Sequence, residues 1–178
     1  MSYQQDPYEL ELLRSCLQQE RKAQRALYEK YKDAMYTLLF RMLYDEDVAV
    51  DALQEAFIEV FRSLPSYLGN SSLGAWIKTI VIRSGLARQK KTIEWPSVEE
   101  LGAETPLFTW DENLTGAYLE KAIRQLPEGY RNVFLLIEVE GYTHREVSEL
   151  LHIAEGTSKS QLFQAKKMLQ KLLREFKD

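Results

Sequence analysis

At 178 residues, with one cysteine, 8 glycines, 5 prolines and a formal net charge of -4, the chain has room for one ordinary domain or two small ones and cannot form an internal disulfide. Its Leu-, Gln- and Glu/Lys-rich stretches favour helix over sheet, and a lone Cys16 fits a reducing compartment. No run approaches the roughly 20 apolar residues of a bilayer span, and the polar, acidic start MSYQQDPYELELL lacks the basic end and apolar run of a signal peptide. A cytoplasmic protein without membrane insertion is expected.

The acidity is local. Residues 1–91 carry 13 Lys and Arg against 12 Asp and Glu, residues 117–178 carry 10 against 9, and residues 92–116 hold six acids and no base. Net charge therefore does not speak against a nucleic-acid partner. The expected fold class is all-α, with helical domains over 1–91 and 114–178 joined by a flexible acidic linker over 92–113.

In chain order, the first half predicts helices near 8–21 and 24–43. A third follows over 47–64, DVAVDALQEAFIEVFRSL, with Val50, Leu53, Phe57, Val60, Phe61 and Leu64 on its inner face. Asp51, Gln54, Glu55, Ile58 and Arg62 are left outside. An Ile inside that polar face fits a docking surface for another protein, or a solvated helix with one stray apolar residue. Pro65 and SYLGNSS interrupt the chain, and a fourth helix over 72–91 starts at a serine cap.

In that helix, burial of Leu73, Ile77, Ile80, Val81 and Ser84 leaves Lys78, Ile82, Arg83, Leu86 and Lys90 outside. Positive charge among apolar side chains fits a groove tracking a nucleic-acid strand. Trp76 at the margin and Tyr67 in the preceding loop are base-stacking candidates, although core or loop anchoring is the commoner use of such rings.

The linker carries Glu94, Glu99, Glu100, Glu104, Asp111 and Glu112 with Pro96, Pro106, Gly102 and Gly116, without helical period. Helices over 114–126 and 127–140 follow, the second opened by Pro127 and stopped by Gly141. Thr143 and Glu146 form a capping box for a short helix over 143–151. Its inner face is Val147, Leu150 and Leu151, and Ile153 plugs the turn. The last helix, from about 155 to 176, is expected to bury Leu162, Ala165, Leu169, Leu172, Leu173 and Phe176. Thr157, Ser160, Gln161, Gln164, Lys167 and Lys171 then share an outer face free of acids, as in a recognition helix. A structural helical hairpin with a solvated lysine face has the same local pattern.

Taken together, DALQEAFIEVFRSL, LGAWIKTIVIRSGLARQKK and LPEGYRNVFLLIEVEGYTHREVSELLHIAEGTSKSQLFQAKKMLQKLL, in this order and spacing, closely resemble the extracytoplasmic-function sigma factors of bacterial RNA polymerase. The resemblance spans roughly 24–91 and 114–173. It implies that Asp51, Gln54, Glu55 and Ile58 dock on core polymerase. Tyr67, Asn70, Ser71, Trp76, Lys78, Arg83 and Lys90 would meet the minus-ten element of promoter DNA, where a non-template base is flipped. Thr157, Ser158, Lys159, Ser160, Gln161, Gln164 and Lys167 would meet the minus-thirty-five element, and the linker would thread a basic polymerase channel. Masking by an anti-sigma factor or by domain packing is compatible with the family.

The chain departs from the family pattern at Arg83, at Ala87 with Arg88, at Ala154, and at Gln161 and Gln164 in place of arginines. Fewer fixed charges imply fewer phosphate contacts and a shallower salt dependence. The competing readings are a stand-alone helix-turn-helix regulator with a helical effector domain, and a helical adaptor without nucleic-acid contact. An enzyme is not expected. His144, taken as solvent-facing, and His152 lack spaced metal-ligand partners, Cys16 sits on an apolar face, Glu99 and Glu100 lie in the linker, and no phosphate-binding glycine loop is present. No metal or cofactor is expected.

Overall fold

The computed structural model describes residues 6–89 and 116–175. They are helical, without a strand among the described residues, and divide into two compact units, Met1–Gln89 and Lys90–Asp178. The linker acids, Lys90 and Phe176 lie outside the described residues.

The first unit packs four helices: α1 (Pro7–Leu17), α2 (Arg21–Leu43), α3 (Glu46–Ser63) and α4 (Leu73–Arg88). Local chemistry sets their ends. Asp6 accepts from the Tyr8 amide at 3.0 Å, Asp45 from Val48 at 3.0 Å and Ser72 from Ala75 at 3.1 Å, each supplying a free helical N–H with an acceptor. α2 stops where Tyr44 turns left-handed at φ 49°. Glu9 ties α1 to α2, accepting from Lys30 Nζ at 2.7 Å and Tyr31 Oη at 2.6 Å. Partial burial alone would raise its pKa, but the two hydrogen bonds and the Lys30 charge outweigh burial and lower it.

Leu27, Leu39, Met42, Val60, Ile77, Val81 and Ile82 are fully buried, and Tyr28 meets Phe57 edge-on at 4.8 Å. α4 packs against both α2 and α3. Close approach to α2 depends on Gly85, where an added Cβ would stand 2.9 Å from Leu39 Cδ2.

Two inner-face assignments need correction. Val50 is 41% exposed, whereas Ala49, Ala52 and Ala56 are buried. Small side chains let α3 approach its neighbours closely, so the alanines share the interface with Leu53, Phe57, Val60 and Leu64, which are buried as expected. Ile82, expected outside, is fully buried. It lies one turn before Gly85, on the side of α4 facing α2.

The second unit comprises α5 (Gly116–Gln125), α6 (Glu128–Phe134), α7 (His144–Leu151) and α8 (Glu155–Glu175). Pro127 precedes α6 in extended conformation. The expected continuation to 140 is a π turn over Leu135–Val139, marked by the Glu140 amide donating to the Leu135 carbonyl at 2.9 Å. Gly141 then reverses the chain at φ 76°. α8 packs on α5, α6 and α7 around Val133, Phe134, Leu136, Val147, Ala165 and Leu169.

The capping box forms as expected. The Thr143 and Glu146 side chains each accept from the other residue's backbone amide, at 3.2 and 2.8 Å. The backbone bond from Thr143, followed by its hydroxyl, holds the Glu146 carboxyl below the ordinary carboxylate range. Its stabilisation is therefore complete above the unfolded-state pKa and is lost as pH falls through the lower folded value. Thr143→Ala should destabilise the unit by about 1 kcal/mol at neutral pH. Thermal melts should show that difference shrinking on acidification, because the variant keeps the backbone bond to Glu146 but has already lost the hydroxyl bond that acid would weaken.

Candidate nucleic-acid interface

On α3, Asp51, Gln54, Glu55 and Ile58 are all exposed, Ile58 by 66%. Their spacing puts three polar groups and one apolar side chain on a single stripe. Arg88 reaches this stripe from the end of α4, with Nη2 at 2.5 Å from Glu55 Oε1 and Nη1 at 3.9 Å from Asp51 Oδ2. The Arg88 hydrogen bond, with its charge, pulls the Glu55 carboxyl below its ordinary range despite some desolvation.

Between α3 and α4 lies an open groove lined by Ile58, Glu59 and Arg62 on one side and by Trp76, Ile80 and Arg83 on the other. Glu59 binds Arg62 and Ser63 within its own helix. Ile80 and Ser84, expected inside, are half-buried there, and Ser84 Oγ donates to the Ala52 carbonyl at 2.8 Å. Arg83 is exposed and Lys78 half-buried.

The preceding loop is organised by Tyr67. Its hydroxyl donates to the Ser71 carbonyl at 2.5 Å, and its ring lies 5.4 Å from that of Trp76. Leu68 is 82% exposed, Asn70 and Ser71 are exposed, and Gly69 takes φ 71°. Tyr67 and Trp76 therefore brace one another, and the polar residues at the tip stay open.

In the second unit the recognition face differs from expectation. Ser158 is fully buried, and Gln161 and Gln164 are 4% and 8% exposed. The outward placement of Gln161 and Gln164 is corrected, and Ser158 is turned inward: both glutamines and Ser158 join Ala165, Leu169 and Leu173, buried as expected, while Leu162 and Leu172 are half-buried. Ser158 Oγ and His144 Nδ1 share a 2.9 Å hydrogen bond that joins α8 to α7. His144 is consequently half-buried, not solvent-facing.

Lys159 and Lys171 are exposed, and Thr157, Ser160 and Lys167 half-buried. Lys159 pairs with Glu155 at 2.8 Å, and Ser160 donates to the Thr157 carbonyl at 3.0 Å. Gln161 Oε1 and Gln164 Oε1 are buried without a hydrogen bond among the described residues. A buried acceptor without a partner is costly, so Gln161→Leu should raise stability by about 1 kcal/mol, read as a higher Tm at neutral pH.

The Cys16 thiol is buried, and desolvation pushes its pKa up, which disfavours the thiolate needed of a nucleophile. No described helix is long and apolar enough to cross a membrane.

Two matches to family models decide the affiliation. Sigma-70 region 2 matches residues 27–92, and sigma-70 region 4 matches residues 116–169. The chain belongs to the extracytoplasmic-function sigma factors of the sigma-70 family.

This sigma factor is 29% identical to the RNA polymerase sigma-H factor of Pseudomonas aeruginosa over 82% of the chain and 86% of that relative. To the sigma factor SigW of Bacillus subtilis it is 27% identical, over 82% and 86%. Among solved structures, its fold resembles the sigma factor RpoE of Bartonella quintana, with a TM-score of 0.59 and 21% identity over 84% of this chain and 96% of that one. It also resembles CnrH, with a TM-score of 0.58 and 16% identity over 92% and 96%. It is a promoter-recognition factor of RNA polymerase. Sequence reasoning had set out its Asp51, Gln54, Glu55 and Ile58 stripe, but missed Glu59 and the Arg88 clasp. The Glu59–Arg62 pair was readable from its i, i+3 spacing, whereas the clasp had no local signal.

Proposed function

We propose that the sigma factor lends promoter specificity to core RNA polymerase through three surfaces, two of which adjoin across the α3–α4 groove, as a cytoplasmic and non-catalytic subunit. The observation that carries this reading is the 66% exposure of Ile58 among Asp51, Gln54 and Glu55. A large apolar side chain at the end of a stripe that carries two carboxylates suits an anchor for a partner with an apolar pocket and a basic rim. Core polymerase is that partner.

The loop and the outer face of α4 meet the minus-ten element. Asn70 and Ser71 present hydrogen-bonding groups at an open loop tip braced by Tyr67 and Trp76. A base turned out of its stack can be read there on its edge, while Lys78 and Arg83 follow the strand's phosphates; Lys90 extends this role beyond the described residues. Opening of a flexible step is then favoured because the extruded base gains contacts.

The minus-thirty-five element falls to the first turns of α8. Thr157, Lys159 and Ser160 offer short hydrogen-bonding groups and a charge near the helix start, with Lys167 for a phosphate further along. Ser158 ties this helix to α7 from inside, through His144. An anti-sigma factor is a second protein partner consistent with the fold neighbours, since the RpoE structure holds the anti-sigma factor NepR.

Mixing the full chain with core polymerase and promoter templates tests the reading. Promoter-specific transcripts should appear only when both are present. Tight binding of the chain alone to a palindromic duplex, without stimulation of core, would favour the stand-alone regulator instead.

A further inference from the structure

Arg88 lies at the end of the α4 row Ile77, Val81 and Ser84, the row that packs on α3. The next turn carries the guanidinium past the packed surface to Glu55 and Asp51. Its side chain is 28% exposed, and the two carboxylates are 62% and 65% exposed. Two of the four residues of the proposed docking stripe are thus already engaged by a cation of the chain itself. The same guanidinium lies on the helix that carries Lys78 and Arg83, the cations assigned to DNA phosphates.

We propose that Arg88 is handed from protein to nucleic acid during initiation: in the free chain it clasps Glu55 and Asp51, and when basic groups of core polymerase take those carboxylates it moves to a promoter phosphate. This rests on the docking reading of the α3 stripe. Charge complementarity supports the exchange, since a carboxylate pair that binds one cation internally can accept another from a partner. The weakness of exposed ion pairs makes it reversible. A guanidinium on a long, flexible stem keeps its charge throughout and suits a phosphate as well as a carboxylate. The clasp therefore opposes early DNA contact by the free chain and releases a cation when polymerase is present.

Three full-length variants test this. R88Q should bind core polymerase about 2- to 5-fold more tightly, since the internal competitor is gone and an exposed pair is worth that much. Holoenzyme made with R88Q should show a log–log salt slope for promoter binding shallower by about one. R88K, which keeps the charge, should restore the slope. E55Q should weaken core binding and remove the gain that R88Q produces. Weaker core binding by a folded R88Q, or an unaltered salt slope, would overturn the handover. If E55Q and D51N both leave core affinity unchanged, the docking reading itself fails, a result distinct from a normal E55Q effect with an inert R88Q.

Discussion

Ile58→Arg is expected to lower affinity for core RNA polymerase by about 30-fold or more, corresponding to loss of a hot spot worth about 2 kcal/mol. Ile58 is 66% exposed, so the fold does not need its side chain. Exposed substitutions away from packing and caps usually change stability by less than about 0.5 kcal/mol. The binding loss should therefore come without a shift in Tm. An arginine in this place brings a charge to the end of the docking stripe, one turn from Glu55, and removes the apolar anchor at once. Titration of the labelled full chain with core polymerase measures the effect, and an unchanged Kd would show that polymerase does not cover this stripe.

Phe134→Ala addresses the second unit from its centre. Phe134 is 2% exposed in α6, between Val133 and Leu135, which are also buried. Truncating a core phenylalanine costs about 3–5 kcal/mol through lost transfer energy and the cavity left behind. A unit with so few residues has little stability to spare, so that loss should unfold most of it at physiological temperature. Circular dichroism should register the missing helix. Transcription should lose its dependence on the upstream element, while binding to core through the α3 stripe persists. A melt shifted by less than about 1 kcal/mol would show that α6 is not the centre of this core.

The serine cap of α4, the capping box of α7 and the outer stripe of α3 were legible because each depends on neighbours in the chain. A capping box needs only Thr143 and Glu146, and the stripe needs only positions three and four apart. Periodicity was least informative where apolar residues surround the helix. α4 carries Leu73, Ile77, Ile80, Val81, Ile82 and Leu86, and it is packed on two sides, so no single face announces the core. In α8, Leu162, Phe163, Met168 and Leu172 compete with the true inner row. Taking glutamine as an outward residue then shifted the expected inner face: Ala165, Leu169 and Leu173 are buried as expected, but Gln161 and Gln164 are buried beside them.

From its amino-acid order alone, the chain determined an all-helical architecture, a helix-turn-helix entered through a capping box, and a polar stripe on α3 that ends in Ile58. These follow from forces acting within one or two turns. Only the tertiary structure decided that alanines hold α3 in place, that Ser158 meets His144, and that Arg88 closes on Glu55 and Asp51. Those pairs are distant in the chain, and it is the close packing of helices that selects which side chains meet.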